Sequence, residues 1–234
     1  MGLRVIVVLI LLLFPGQCWA ESQPGRIVID PGHGGYDPGA IRQGVAEKQI
    51  NLEISKEIIK ILRKEKVEVM LTRYGDYNHA ILGLHGKEAK RYDFNRRIDM
   101  AKEFGADAMV SIHVNVSRER CSGPEAFFYK NSTKSKLLAQ CIQKELHQIP
   151  EVRQRSIKTG SYYLLIHTNM PCVIVETGFI NNPGERAKLL DQQYQQKIAA
   201  AISRGIVDYL KKKETSPPED VKVMDKIKTF LQIQ

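Results

Sequence analysis

Residues 26–35 read Arg26-Ile27-Val28-Ile29-Asp30-Pro31-Gly32-His33-Gly34-Gly35. The β-branched run predicts a strand over Arg26–Asp30, and the proline and glycines after it predict a loop over Pro31–Gly39. Beyond the loop the periodicity changes. Between Glu47 and Lys64 the apolar residues Ile50, Ile54, Ile58, Ile61 and Leu62 recur at helical spacing, and Val67–Thr72 is again β-branched and strand-like. The alternation continues outward. Tyr74–Lys90, with three glycines and two histidines, reads as a loop, and Phe94–Phe104 as a helix with Gly105 placed to cap it. Strands are expected at Ala108–His113, Ala126–Tyr129, Tyr162–Ile166 and Cys172–Glu176, and helices at Ser132–Leu146 and Ala187–Lys211. Strands alternating with helices predict an α/β fold: a single domain with a twisted, mostly parallel sheet and helices on both faces. In such sheets functional groups gather where strands end in loops.

The chain has 234 residues, enough for one sizeable core, and its 43% hydrophobic and 26% charged content is ordinary for a globular protein. Its first twenty residues differ. Arg4 precedes an apolar run from Val5 to Phe14, and Cys18-Trp19-Ala20 closes the segment. This predicts a signal peptide over 1–20 with cleavage after Ala20, an uncleaved anchor being the alternative. The run is shorter than the roughly 20 apolar residues of a membrane span, so no stable span is expected after cleavage. Losing Arg4 would lower the formal charge from +9 to +8. A basic, exported chain suits an anionic partner such as cell wall, and no nucleic-acid motif is present. Cys121, Cys141 and Cys172 form no C-x-x-C pair, which disfavours a cysteine zinc site and leaves at least one free thiol. Near the C-terminus, Ser216-Pro217-Pro218-Glu219-Asp220 breaks the helix. Val221, Met224, Ile227 and Leu231 then predict a short amphipathic helix, so 26–213 is expected to form the catalytic domain and 214–234 a linker and helix.

Four positions carry candidate chemistry. His33 stands between glycines, which leave room for a ligand beside the backbone, although a lone turn histidine is more often a surface residue. Glu47 begins a helix, where acidic residues are favoured by the dipole alone. His113 closes an apolar strand, in Ser111-Ile112-His113-Val114-Asn115. Glu176 ends the run Val173-Ile174-Val175, and a carboxylate there is costly to bury unless paired or near a metal. Two histidines and one glutamate are a donor set for catalytic zinc with a position left for water, and a second glutamate can move protons. The positions lie too far apart in sequence for spacing to pair them.

Taken in order, Asp30-Pro31-Gly32-His33-Gly34-Gly35, Glu47-Lys48, Thr72-Arg73, Arg97-Ile98-x-x-Ala101, Ser111-Ile112-His113-x-Asn115 and Pro171 through Val175-Glu176-Thr177-Gly178-Phe179-x-Asn181 resemble the zinc-dependent N-acetylmuramoyl-L-alanine amidases of the amidase-3 family. The resemblance spans Arg26 to about Leu210. It implies that Zn2+ is held by His33, Glu47 and His113, with Glu176 the catalytic carboxylate. It also implies cleavage of the amide between N-acetylmuramic acid and L-alanine in peptidoglycan. Lys102 and Ile166 depart from the family pattern. Gly75–Lys90 and Phe127-Phe128-Tyr129 look most like the germination-specific amidases of endospore formers. That likeness implies work in the spore cortex on the route to muramic-δ-lactam, in the wall or the forespore intermembrane space, and a regulatory lipoprotein as a possible partner. Ser132–Leu146 is expected to pack in the fold, not to plug the site. The rivals are an inactive wall-binding module, against which all four site residues speak, and a zinc peptidase cutting within the stem, for which no H-E-x-x-H is present.

Overall fold

The computed structural model describes residues 25–117, 119, 121–150 and 152–215. The expected signal segment and residues 216–234 of the expected C-terminal linker and helix therefore lie outside the described residues, while Glu214 and Thr215, expected in the linker, end the last helix. In chain order the elements are β1 (Arg26–Pro31), β2 (Ile41–Arg42), β3 (Val45–Ala46), α1 (Glu47–Lys64), β4 (Glu68–Leu71), α2 (Gly86–Glu103) and β5 (Ala108–Asn115). Then follow β6 (Glu125–Phe128), α3 (Thr133–Leu146), β7 (Lys158–Thr159), α4 (Tyr163–His167), β8 (Cys172–Phe179), α5 (Pro183–Leu190) and α6 (Gln192–Thr215). Six strands form one sheet in the order β4-β1-β5-β8-β6-β7. All neighbours run parallel except β6, which is antiparallel to β8. The expected α/β architecture is observed.

The two-residue period of the strands sorts the core into two layers. Ile27, Ile29, Val110, Ile112, Val173 and Val175 face α1, α3 and α6. Val28, Met109, Cys172 and Ile174 face α2 and α4 through Ile98, Ala101, Leu164 and Leu165. Asp30, Ser111, His113 and Glu176 continue this second row in the same two-residue alternation, towards the C-terminal ends of the parallel strands. One sheet face is thus apolar at one end and polar at the other.

Several expected elements change. Tyr162–Ile166 is not a strand but the short helix α4, in which the adjacent Leu164 and Leu165 are both buried; a strand would have turned one of them away. The expected loop Tyr74–Lys90 ends early, because α2 begins at Gly86. Of residues 86–91 only Ala89 is buried, so its first turns carry no apolar stripe. The long helix expected over Ala187–Lys211 is two helices. They part at Asp191, whose Oδ1 accepts the Tyr194 N–H at 2.8 Å and caps the second. Gly105 does end α2: its N–H donates to the Lys102 carbonyl and that of Ala106 to Ala101, the Schellman pattern. The β2–β3 hairpin, with Gln43 at φ 50° and Gly44 at φ 77°, and the two-residue β7 went unread. Helix α3 packs against α6 and β6.

Asp30 anchors the polar row. It is wholly buried and accepts from Thr72 Oγ1 (2.5 Å), Arg97 NH1 (2.8 Å) and Ser111 Oγ (2.6 Å). Burial alone would raise its pKa, but Arg97 and the two hydroxyls hold it at about 2. A depressed carboxylate contributes stability above its unfolded pKa, and that contribution is lost as the pH falls through the folded one. Here the window runs from about pH 4 down to 2, and the shift corresponds to about 2 kcal/mol. The Asp30→Asn protein is expected to be less stable at neutral pH and to lose about 2 kcal/mol less than the wild type across that window. Denaturant unfolding at a series of pH values measures this, and parallel profiles for the two proteins would refute it.

Candidate metal centre and active site

His33 adopts φ 63°, a left-handed conformation uncommon outside glycine. Two buried arginines hold the loop that forces it. Arg97 donates to the Pro31 carbonyl and the His33 carbonyl, each at 2.8 Å. Arg73 donates to Pro31 (2.9 Å), Gly32 (3.0 Å) and Lys48 (2.7 Å) carbonyls. These donors replace the water that a turn's carbonyls would otherwise keep. Thr72, Arg73, Arg97 and Ser111, read in the sequence only as matched residues, are therefore the scaffold of the His33 loop.

His33, Glu47 and His113 meet at this loop. His33 Nε2 lies 3.2 Å and His113 Nδ1 3.0 Å from the same oxygen, Glu47 Oε1. The rings stand edge to face with centroids 4.9 Å apart. One donor atom from each residue falls within 4.8 Å of the others. Glu47 is 5% exposed, and its carboxylate also accepts the N–H groups of Ala40 (2.9 Å) and Val114 (3.1 Å). Two glycines make the approach possible. A Cβ on Gly32 would come within 2.3 Å of the His113 ring, and one on Gly39 within 2.6 Å of Glu47 Oε2. Burial disfavours the Glu47 charge, but the two histidines hold its pKa well below the usual carboxylate range. Burial likewise opposes charging His33, which Asp37 and Glu47 overcome, raising it to about 9. Two imidazoles and a carboxylate converging on one point are a donor set that fits a zinc ion.

Glu176 pairs in register with His113 on one side and with Glu125 on the other. It is 8% exposed, and its Oε2 has no hydrogen-bond partner among the described residues. Burial raises its pKa to about 8, with help from the charges of Glu47 and Glu125. A buried glutamate that stays close to neutral proton affinity suits proton transfer.

The structure thus brings all four candidate side chains to one end of the sheet. Other members of this site had not been singled out. Asp37 Oδ2 lies 2.9 Å from His33 Nδ1. Asn51 Nδ2 donates to the Gly32 carbonyl (3.2 Å) and to Glu47 Oε1 (3.4 Å). Asn51 was detectable, since it stands one helical turn after Glu47 on the same face; Asp37 had no comparable signal. Of the two departures, Lys102 sits on the surface by Asp99. Ile166 lines a cavity with Tyr129 and Pro171, at the start of β8 and away from Glu176. Cys121, Cys141 and Cys172 are all free.

The family model for N-acetylmuramoyl-L-alanine amidase, Amidase_3, matches residues 27–208. An uncharacterized Bacillus subtilis protein, YqiI, is 37% identical over 204 residues, covering 86% of this chain and 93% of its own. The germination-specific N-acetylmuramoyl-L-alanine amidase of Bacillus subtilis is 32% identical over 205 residues, 86% of each chain. Among solved structures, the CwlD amidase from Clostridioides difficile, in complex with the GerS lipoprotein, superposes with a TM-score of 0.76 at 34% identity. That match covers 80% of this chain and 98% of CwlD. With the model match spanning well over half of the sequence, the chain belongs to the amidase-3 family and is an N-acetylmuramoyl-L-alanine amidase, similar to the germination-specific member.

Proposed function

We propose that His33, Glu47 and His113 hold a catalytic zinc ion and that Glu176 moves the protons of amide hydrolysis. The observation that carries this reading is the convergence of three donor atoms within 4.8 Å, with the buried Glu176, whose Oε2 has no hydrogen-bond partner among the described residues, on the neighbouring strand. When bound there, zinc supplies Lewis acidity, polarising the amide carbonyl and making water a nucleophile near neutral pH. The chain's own groups do the rest. Glu176 accepts the proton of the attacking water and returns it to the nitrogen of L-alanine as the bond to the muramic lactyl carbonyl breaks. Asp37 orients the His33 ring, as outer carboxylates orient metal-ligating histidines. The Ala40 and Val114 N–H groups fix the Glu47 carboxylate.

Within this reading the substrate is spore-cortex peptidoglycan and the product stands on the route to muramic-δ-lactam. The likeness to the germination-specific amidase supports this. A regulatory lipoprotein is the proposed partner, supported by the CwlD structure with its lipoprotein. The workplace is the wall side of the cytoplasmic membrane, reached through a signal peptide over residues 1–20. No helix among the described residues is long and apolar enough to cross a membrane.

The purified protein is expected to contain about one zinc ion per chain and to release intact stem peptides beginning with L-alanine from cortex. Metal analysis and mass spectrometry of the digest check this together. Fragments cut within the stem would favour a peptidase, and binding without cleavage by the zinc-loaded protein an inactive wall-binding module.

A further inference from the structure

One strand outward from Glu176, the same sheet face carries a charged group that the reaction does not use. Glu125 lies directly opposite Glu176 in the register and is 2% exposed. Two cations converge on its Oε2, Arg155 Nε at 2.6 Å and Lys158 Nζ at 2.9 Å, while Asn115 Nδ2 donates to Oε1 at 3.1 Å. The cations are not equally covered. The Arg155 side chain is 18% exposed and sits over the Phe179 ring. That of Lys158 is 48% exposed, with its ammonium 5.8 Å from the centre of the Phe127 ring. Tyr162 stands edge-on to the same ring.

We propose that Lys158, backed by Glu125 and Arg155, is a subsite for a stem-peptide carboxylate. It would favour stems whose second residue carries a free carboxyl over those in which that group is amidated. The inference rests on the reading of Glu176 as the group beside the reacting amide.

Charge, coverage and reach support it. One buried carboxylate faces two cations, so an anion arriving from solvent finds a surplus positive charge. An ammonium has three N–H donors and Glu125 occupies one, leaving Lys158 free to donate outward. Neighbouring strands lie about 4.8 Å apart, and the Lys158 ammonium reaches back to Glu125 on β6, one strand from Glu176. An extended peptide advances about 3.3–3.6 Å per residue. A stem that starts at Glu176 and runs across β6 therefore brings its second or third residue to Lys158. Arg155 and Asn115 keep Glu125 paired when Lys158 is replaced, so the substitution leaves no bare buried charge.

The test uses the zinc-loaded full chain and two disaccharide pentapeptides that differ only in carboxylate or carboxamide at the second stem residue. A charge-assisted contact of this kind corresponds to a wild-type preference for the acid of about tenfold in kcat/KM. Lys158→Gln is expected to bring that ratio to about one through KM and not kcat, and Lys158→Arg to retain it. Added salt should erode the wild-type preference. The proposal is overturned if the wild type shows no preference, or if Lys158→Gln slows both substrates equally, as a structural role would. A wild type that cleaves neither substrate refutes the underlying active-site reading instead, and zinc content, measured beside it, tells a lost metal from a wrong assignment.

Discussion

Glu176→Gln is expected to bind zinc as the wild type does and to lose about 10²–10⁴-fold in turnover. The side chain sits in the C-terminal half of β8, paired across to His113 and 8% exposed, and its Oε2 has no hydrogen-bond partner among the described residues. Glutamine keeps its shape and adds no charge at a site whose burial already disfavours one, so the fold is not expected to suffer. What disappears is the ability to accept a proton from water and return it to the leaving amine. Glu47→Gln should fail in the opposite order. Both oxygens of Glu47 are acceptors, taking the Ala40 and Val114 N–H groups while facing two histidines. An amide nitrogen in place of either oxygen sets donor against donor and removes the ligand's charge. Zinc should leave first, and activity with it. Zinc content and amide cleavage measured side by side decide the matter. If Glu176→Gln loses its metal, or Glu47→Gln keeps metal and activity, the two carboxylates have been given each other's roles.

His113→Ala is expected to lower zinc affinity by more than about 100-fold, since loss of an outer-shell partner alone typically costs 10–100-fold. Activity should vanish with the metal. The fold should persist, because His113 lies at the polar end of β5, past the apolar residues Val110 and Ile112 that carry the packing. Its side chain is 17% exposed. His33→Ala should lose the metal in the same way, and its left-handed backbone at φ 63° stays as strained as before, because alanine also carries a Cβ. The checks are equilibrium dialysis against zinc and thermal unfolding of each apoprotein. Full zinc occupancy in His113→Ala would exclude it as a ligand; a large drop in unfolding temperature would make it a structural residue.

Much of the scaffold was legible because its signals are local. Helix α1 carries an uninterrupted apolar stripe, and its observed ends coincide with the expected Glu47–Lys64. The strands β1, β5 and β8 are buried on both faces and read as continuous apolar runs. Where the pattern is short or weak, the reading failed. Tyr163–His167 is five residues long, too short for periodicity to tell strand from helix. The first turns of α2 face solvent and show no stripe at all. Asp191 interrupts a pattern that is apolar on both sides, and its capping hydrogen bond is visible only once the chain has turned there.

The site divides along the same line. Sequence by itself determined the residue types, two histidines and two glutamates, and led to the expectation that three of them stand at element boundaries, where α/β folds keep their chemistry; Glu47 does open α1, whereas β5 and β8 run on past His113 and Glu176 to Asn115 and Phe179. It also determined the glycines that let those side chains approach. Only the tertiary structure decided that His33, Glu47 and His113 share one point. Glu47 and His113 are 66 residues apart and meet through a single carboxylate oxygen, a contact that no local propensity encodes. Only the parallel register of β5 against β8 set Glu176 beside His113, and only the antiparallel entry of β6 set Glu125 beside Glu176. Strand order and direction are chosen by the burial of both sheet faces at once. That is a property of the assembled layers, which makes it invisible in any one stretch of chain.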